Sequence, residues 1–255
     1  MGSHDTVKNG VKTTGTAFDI LESIWELESA TLDELAEEVD VAKSTTHRHL
    51  STLINRGYVV KDAGSYRLSF KFLDMGQFTR RRKQAYRLAK EKVRELADRT
   101  DERAQFIVEE NGRGVYVHMA SGDHAVTTNT YVGKHVPIHA SAGGLAILAH
   151  LDTSTVDDIV EQHGLTAYTE YTIADRENLL DELDEINERG YSINDQGHIS
   201  GLRAMGAPVC DESGDVIGAL SISGPTNRMQ GEWFTDELPA LLLGSANELE
   251  LNIAF

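Results

Sequence analysis

Cysteine is almost absent from this 255-residue chain: Cys210 is the only one. A single thiol excludes an intramolecular disulfide and a cysteine-rich zinc site, and it suits a reducing cytoplasm. Long apolar runs are missing too. None approaches the roughly 18 residues that a membrane span needs, so no membrane partner is expected. The first residues, Met1-Gly2-Ser3-His4, hold no apolar signal-peptide core, and residues 1–13 are left outside the expected fold. A third absence is local. Residues 41–60, VAKSTTHRHLSTLINRGYVV, contain no acid, although the chain carries a formal net charge of −17.

That gap is part of a larger asymmetry. Residues 1–40 hold 2 Lys/Arg and 10 Asp/Glu, residues 41–100 hold 15 and 5, and residues 101–255 hold 7 and 26. A basic block between two acidic ones implies that one region meets a polyanion while the rest stays strongly solvated.

The N-terminal pattern predicts helix, helix, helix, wing. Residues 16–27 place Ala17, Ile20, Leu21, Ile24 and Trp25 on one helical face, with Thr16 as N-cap. In the next segment Thr31 and Glu34 have the spacing of a capping box, and Leu32, Leu35, Ala36 and Val39 form the apolar side. The acid-free stretch is then a third amphipathic helix. At about 100° per residue, Thr46, Leu50, Leu53 and Ile54 converge, and Arg48 points away from them among Ser44, Ser51, Thr52 and Asn55. A guanidinium ringed by small hydroxyls suits a groove lined by phosphates and base edges. Gly57 ends this helix, and two short strands around Asp62-Ala63-Gly64-Ser65 form the wing. The candidate DNA-binding residues are Lys43, Ser44, Thr45, His47, Arg48, Ser51 and Thr52 on the helix, with Lys61 and Arg67 on the wing. The competing reading is a winged helix used only for protein contacts. Residues 76–100 are expected to form one linker helix with a narrow apolar stripe of Ala85, Ala89, Val93 and Leu96. Its Arg80-Arg81-Arg82-Lys83 run suits either phosphate contact or a solvated face.

From Glu102 onward β-rich segments alternate with helices. A hairpin is expected around Asn111-Gly112, a helix beginning near Ser141 with Ala142, Gly143 and Gly144, an amphipathic helix ending at Gly190, a hairpin turning at Glu212-Ser213-Gly214, and a final helix from Thr235. Small residues at the start of a helix leave backbone N–H groups open to an anion. In the last strand Ser221 and Ser223 share one face, where they line a pocket or lie exposed. The class is therefore α+β, not a doubly wound parallel sheet.

Catalytic and metal-binding patterns are lacking. His135 and His139 have i,i+4 spacing, but Pro137 between them opposes a helix. Acids beside Cys210 raise a thiol pKa, so this cysteine reads as structural. No catalytic residue, metal or cofactor is expected. The remaining enzymatic alternative is an enzyme built on the C-terminal region, with the winged helix as an accessory.

Four segments carry a resemblance that runs over nearly the whole chain: TLDELAEEVDVAKSTTHRHLSTLINRGYVV at 31–60, GKHVPIHASAGGLAILAHL at 133–151, TIADRENLLDELDEINERGYSIND at 172–195 and GAPVCDESGDVIGALSISGP at 206–225. With these the chain resembles the IclR family of transcriptional regulators. The resemblance implies a winged helix-turn-helix domain over 14–75, a linker helix over 76–100 and a GAF-like effector-binding domain over 101–255. It implies a homodimer or homotetramer on a double-stranded DNA operator, controlling a catabolic operon in response to a small organic effector such as a sugar acid or aromatic acid. Matched to the family's pocket, the effector-binding residues are Ala142, Gly143, Asn194, Leu202, Ala204, Ser221 and Ser223. The chain departs from the family pattern at Leu145, where Lys is frequent, and at Asn194, where an acid is frequent. Its acidity also resembles that of proteins from salt-loving archaea, an analogy of composition.

Overall fold

The computed structural model describes residues 10–126 and 128–254. They divide into two compact units, one reaching Thr79 and one starting at Arg80.

The first unit is built on α1 (Lys12–Glu26), α2 (Leu32–Glu38) and α3 (Lys43–Asn55). Helix α1 starts five residues earlier than its sequence suggests, with Val11 as N-cap. Thr16 is not its N-cap; it lies inside the helix, and its hydroxyl donates to the Lys12 carbonyl at 3.1 Å. Ile20 and Ile24 are buried as expected, whereas Trp25 is 60% exposed, outside the core. The capping box at α2 is present: Thr31 Oγ1 accepts from the Glu34 N–H, and the Glu34 carboxylate accepts from the Thr31 N–H at 2.7 Å. Asp40 takes a positive φ of 49° between α2 and α3. Thr46, Leu50 and Leu53 of α3 are buried, while Ile54 stays partly exposed.

Gly57, with φ 77°, closes α3 in a Schellman motif. Its N–H donates to the Ile54 carbonyl, and that of Tyr58 to the Leu53 carbonyl, each at 2.9 Å. The wing strands are β2 (Val59–Asp62) and β3 (Ser65–Leu68), joined through Ala63 and Gly64, both at positive φ, as a two-residue hairpin requires. The wing is not two-stranded. The short β1 (Ala30–Thr31) pairs antiparallel with β3, Ala30 opposite Tyr66, so the sheet order is β1-β3-β2. Two residues carry no readable strand periodicity, which is why this pairing is invisible in the sequence.

The single helix expected over 76–100 is two: α4 (Lys71–Arg80) and α5 (Gln84–Thr100), interrupted at 81–83. Lys83 takes an extended conformation as the N-cap of α5.

The second unit is a six-stranded antiparallel sheet with helices on both faces. Its strands are β4 (Arg103–Glu110), β5 (Arg113–Ser121), β6 (His135–Pro137), β7 (Ser192–Asp195), β8 (Leu202–Cys210) and β9 (Val216–Pro225), in the order β6-β5-β4-β9-β8-β7. Asn111 and Gly112, both at positive φ, make the β4–β5 turn. Alternation along the strands divides the core in two. Phe106, Met205, Ala207, Leu220 and Ile222 pack with α5 and with α9 (Leu238–Ala254). Ile107 and Ala219 face the other way, toward α6 (Ala142–Leu148), α7 (Thr153–His163) and α8 (Arg176–Arg189). Helix α8 ends at Gly190 in the left-handed region, as read from the sequence. Helix α7 and strand β7 were not anticipated.

Candidate functional sites

In the first unit α3 presents the polar face that its sequence predicts. Lys43, Ser44, His47, Arg48, Ser51, Thr52 and the wing residues Lys61 and Arg67 are all exposed, and Thr45 is half-buried at the edge. Not every group is free to donate. The Ser51 and Thr52 hydroxyls donate back to the carbonyls of His47 (2.8 Å) and Arg48 (3.0 Å), leaving their oxygens as acceptors. Lys43 Nζ lies 2.8 Å from Asp33, and Arg67 is 3.9 Å from Asp62. Lys61 sits over the Tyr66 ring. The Arg48 guanidinium has no hydrogen-bond or ion-pair partner among the described residues, so it is satisfied only by solvent or a bound group.

In the second unit the α6 face of the sheet carries a cavity, lined by strands β4, β5, β8 and β9, the start of α6 and the 128–130 and 198–199 loops. All seven residues matched for effector binding line it: Ala142, Gly143, Asn194, Leu202, Ala204, Ser221 and Ser223. They come together because β9 runs antiparallel to β4 and β8, and because α6 packs across these strands. A methyl on Gly143 would stand 2.3 Å from Ile107 Cγ2, so only glycine permits this approach.

The polar groups differ in what they have left to offer. Asn194 is half committed: its Nδ2 donates one N–H to the Ala140 carbonyl at 2.8 Å and its Oδ1 accepts from the Gly197 N–H at 3.0 Å, which leaves a second N–H and a second lone pair. The helix start is also partly satisfied, since Ser141 Oγ accepts from the Gly144 N–H at 3.2 Å. Ser221 donates to Gln105 Oε1, and Gln105 Nε2 donates to Ser223 Oγ, both at 2.8 Å. The Ser223 proton therefore has no acceptor among the described residues.

Sequence reasoning missed several lining residues, notably Arg103, Gln105, Tyr116, Thr128, Thr130 and His198. Arg103 follows Asp101 and Glu102 and reads as part of a solvated charged run. The signal that could have exposed it is period two: Arg103, Gln105 and Ile107 share a face of a strand whose first six residues are all buried. Arg103 is only 8% exposed. Its Nη1 donates to Thr128 Oγ1 and its Nη2 to the Val126 carbonyl. Its Nε has no partner, and no carboxylate pairs with it among the described residues. Burial lowers its pKa and raises that of the Tyr116 phenol, which stays a neutral donor. Burial also lowers the pKa of His198, with Lys134 and His139 adding to the effect.

The remaining expectations are quickly placed. His135 lies in β6 and His139 in a tight 3-10 turn, where its Nε2 meets the Thr166 carbonyl at 3.1 Å. The Cys210 thiol is pushed up to about 11 by burial and by Glu250, Asp211 and Asp215. No group of three or more His, Cys, Asp or Glu among the described residues is placed to hold a metal ion. No helix among them is long and apolar enough to cross a membrane.

Comparison with known proteins gives matches over both units. Residues 16–63 match the model of the IclR helix-turn-helix domain, and residues 80–251 match that of the bacterial transcriptional regulator IclR C-terminal region. The chain is 32% identical over 241 residues to the "Probable HTH-type transcriptional regulator ArcR" of Halobacterium salinarum, covering 93% of this chain and 92% of that one. It is 30% identical over 253 residues to the HTH-type transcriptional regulator KdgR of Escherichia coli, covering 98% and 96%. The crystal structure of the Thermotoga maritima IclR superposes with a TM-score of 0.82 at 25% identity, covering 95% of this chain and 99% of that one. That of an IclR homolog complexed with 4-hydroxybenzoate, from Microbacterium hydrocarbonoxydans, shares the fold with a TM-score of 0.80 at 21% identity, covering 95% and 99%. With an exposed polar helix in one unit, a lined cavity in the other and these matches along its length, the chain belongs to the IclR family of DNA-binding transcriptional regulators, which respond to small-molecule effectors.

Proposed function

We propose that this regulator controls a catabolic operon and that its effector is a sugar acid or an aromatic acid seated in the α6-side cavity. The observation that carries this reading is the Gln105–Ser221–Ser223 network on the cavity wall, which leaves one hydroxyl proton without an acceptor. An oxygen-rich ligand supplies that acceptor. A structural relative is complexed with 4-hydroxybenzoate, which supports the aromatic branch. On the DNA side, Arg48 reads a base edge while Lys43, Ser44, Thr45, His47, Ser51, Thr52, Lys61 and Arg67 contact the backbone around it. The effector domain over 101–255 is of the GAF-like kind, the protein works in the cytoplasm, and a homodimer or homotetramer places two reading helices on one operator.

Genome-wide mapping of bound sites in the source cell tests the regulator reading. Enrichment beside genes for breakdown of an organic acid supports it, and enrichment elsewhere removes the catabolic assignment. Calorimetry of sugar and aromatic acids against wild type and the Ser221→Ala/Ser223→Ala variant tests the site: equal binding to both places the pocket elsewhere.

The net charge of −17 supports operation at high salt. Because the Debye length falls to about 3 Å at 1 M salt, mutual repulsion of the acidic surfaces is screened there. Operator binding should persist in molar potassium chloride, with a shallower salt slope than its basic contacts alone imply. A steep monotonic loss would remove this part of the reading.

A further inference from the structure

The cavity contains a cation without a counter-ion. Arg103 is 8% exposed, its Nε is unpaired, and none of the described carboxylates reaches it. The acids nearest in sequence are committed elsewhere: Glu102 forms a fork with Arg228 at 2.5 and 2.9 Å, and Asp101 pairs with His124. The cavity's other guanidinium, Arg203, is held in a bidentate pair with Asp195 at 2.8 and 2.7 Å. One buried positive charge therefore remains. Burying a charge without a partner is costly, and the cost persists here on the wall of an open cavity. In-register pairing places Ser223 directly opposite Arg103, across β4 and β9. The phenol of Tyr116 lines the same space.

We infer that Arg103 is the counter-ion seat of the effector and that the effector carries one anionic group with a neutral polar remainder. This rests on the reading of the cavity as the effector site. A carboxylate oxygen accepts from the Arg103 guanidinium, whose Nη1 and Nη2 each carry a second N–H beyond those given to Thr128 and Val126, and from the Ser223 hydroxyl, whose proton is unspent. The remainder meets Thr130 and His198. Dianions are disfavoured, because the second charge would be desolvated with no cation left to receive it. Arg103 thus sets ligand charge, and the protein is less stable without ligand because of it.

The test uses the full-length protein and matched probes: 4-hydroxybenzoate and D-gluconate, their uncharged amides, and the dianions terephthalate and D-glucarate. At least one monoacid should bind wild type about 10- to 100-fold more tightly than its amide, the span of one charge-assisted hydrogen bond pair, and more tightly than its dianion. Arg103→Met should level that preference. Without ligand it should raise the melting temperature by about 2–4 °C, since it removes a buried unpaired charge. Arg103→Lys keeps the charge and should keep the preference for acid over amide, which decides the matter if Arg103→Met does not fold. An amide bound as well as its acid, a tighter dianion, silence across the panel or a lower melting temperature in Arg103→Met overturns the inference. In the last case Arg103 is a clamp for Val126 and Thr128. An acid that binds wild type, Arg103→Met and Ser221→Ala/Ser223→Ala equally shows instead that the cavity is not the effector site.

Discussion

Gln105 and Ser223 are 118 positions apart, yet the Gln105 amide donates to the Ser223 hydroxyl at 2.8 Å. The same amide accepts from Ser221, so one side chain on β4 fixes both serines of β9. Gln105→Leu should leave the buried Ser221 hydroxyl without an acceptor and destabilise the protein by about 1–3 kcal/mol. Gln105→Leu/Ser221→Ala removes both halves and should recover part of that loss. Denaturant titration of the two variants checks it; a double variant no more stable than the single one means the network does not hold Ser221.

Arg48 is exposed on α3. Arg48→Ala should weaken operator binding by about 1–3 kcal/mol if it makes a bidentate base contact, with no change in the melting curve. Fluorescence anisotropy on operator and scrambled DNA separates the cases. Specific and random affinities should converge. An unchanged operator affinity would remove Arg48 from the interface.

Two glycine-to-alanine changes should act in opposite directions. At Gly144 a new Cβ would stand 2.1 Å from the Ile138 carbonyl oxygen and 2.6 Å from Ser141 Oγ. Backbone cannot yield there cheaply, so Gly144→Ala should cost at least about 2 kcal/mol. Gly15 lies within α1 with nothing inside 4 Å of its added methyl, so Gly15→Ala should stabilise α1 by up to about 1 kcal/mol. Thermal melts of both variants check the pair, and the same sign for both would refute it.

Asp152 caps α7, and hydrogen bonds from Ser154 and Thr155 hold its carboxyl at about 2, below its ordinary 3.8. A carboxylate with a lowered folded pKa stabilises the protein above its unfolded value and loses that contribution as pH falls through the folded one. The advantage of wild type over Asp152→Ala should therefore be constant at neutral pH and shrink as pH drops from 3.8 toward 2. Stability measured against pH for both proteins checks this. A difference that grows on acidification would contradict the cap.

What the sequence determined by itself is what a few neighbouring residues decide. The Thr31–Glu34 box, the turns at Ala63-Gly64 and Asn111-Gly112, and the stop at Gly190 each satisfy backbone groups or a positive φ locally, and each is where the sequence placed it. The outward face of α3 was legible for the same reason, since helical period alone turns Arg48 away from Leu50 and Leu53. Where the helices begin and break was less legible. Thr16 can cap a helix, but here the helix continues upstream of it, and the run at 81–83 interrupts what the apolar stripe alone would continue. Only the tertiary structure decided which strands meet. The pairing of Ala30 with Tyr66 and of Arg103 with Ser223 depends on the summed packing of distant segments, which no local pattern records. That is why Ser221 and Ser223 could be marked as facing one way, while the buried guanidinium opposite them could not. Its environment is made by β9, β5, Val126 and the 128–130 loop, and a charge beside Asp101 and Glu102 in sequence becomes an unpaired charge only when the fold carries those acids to other partners.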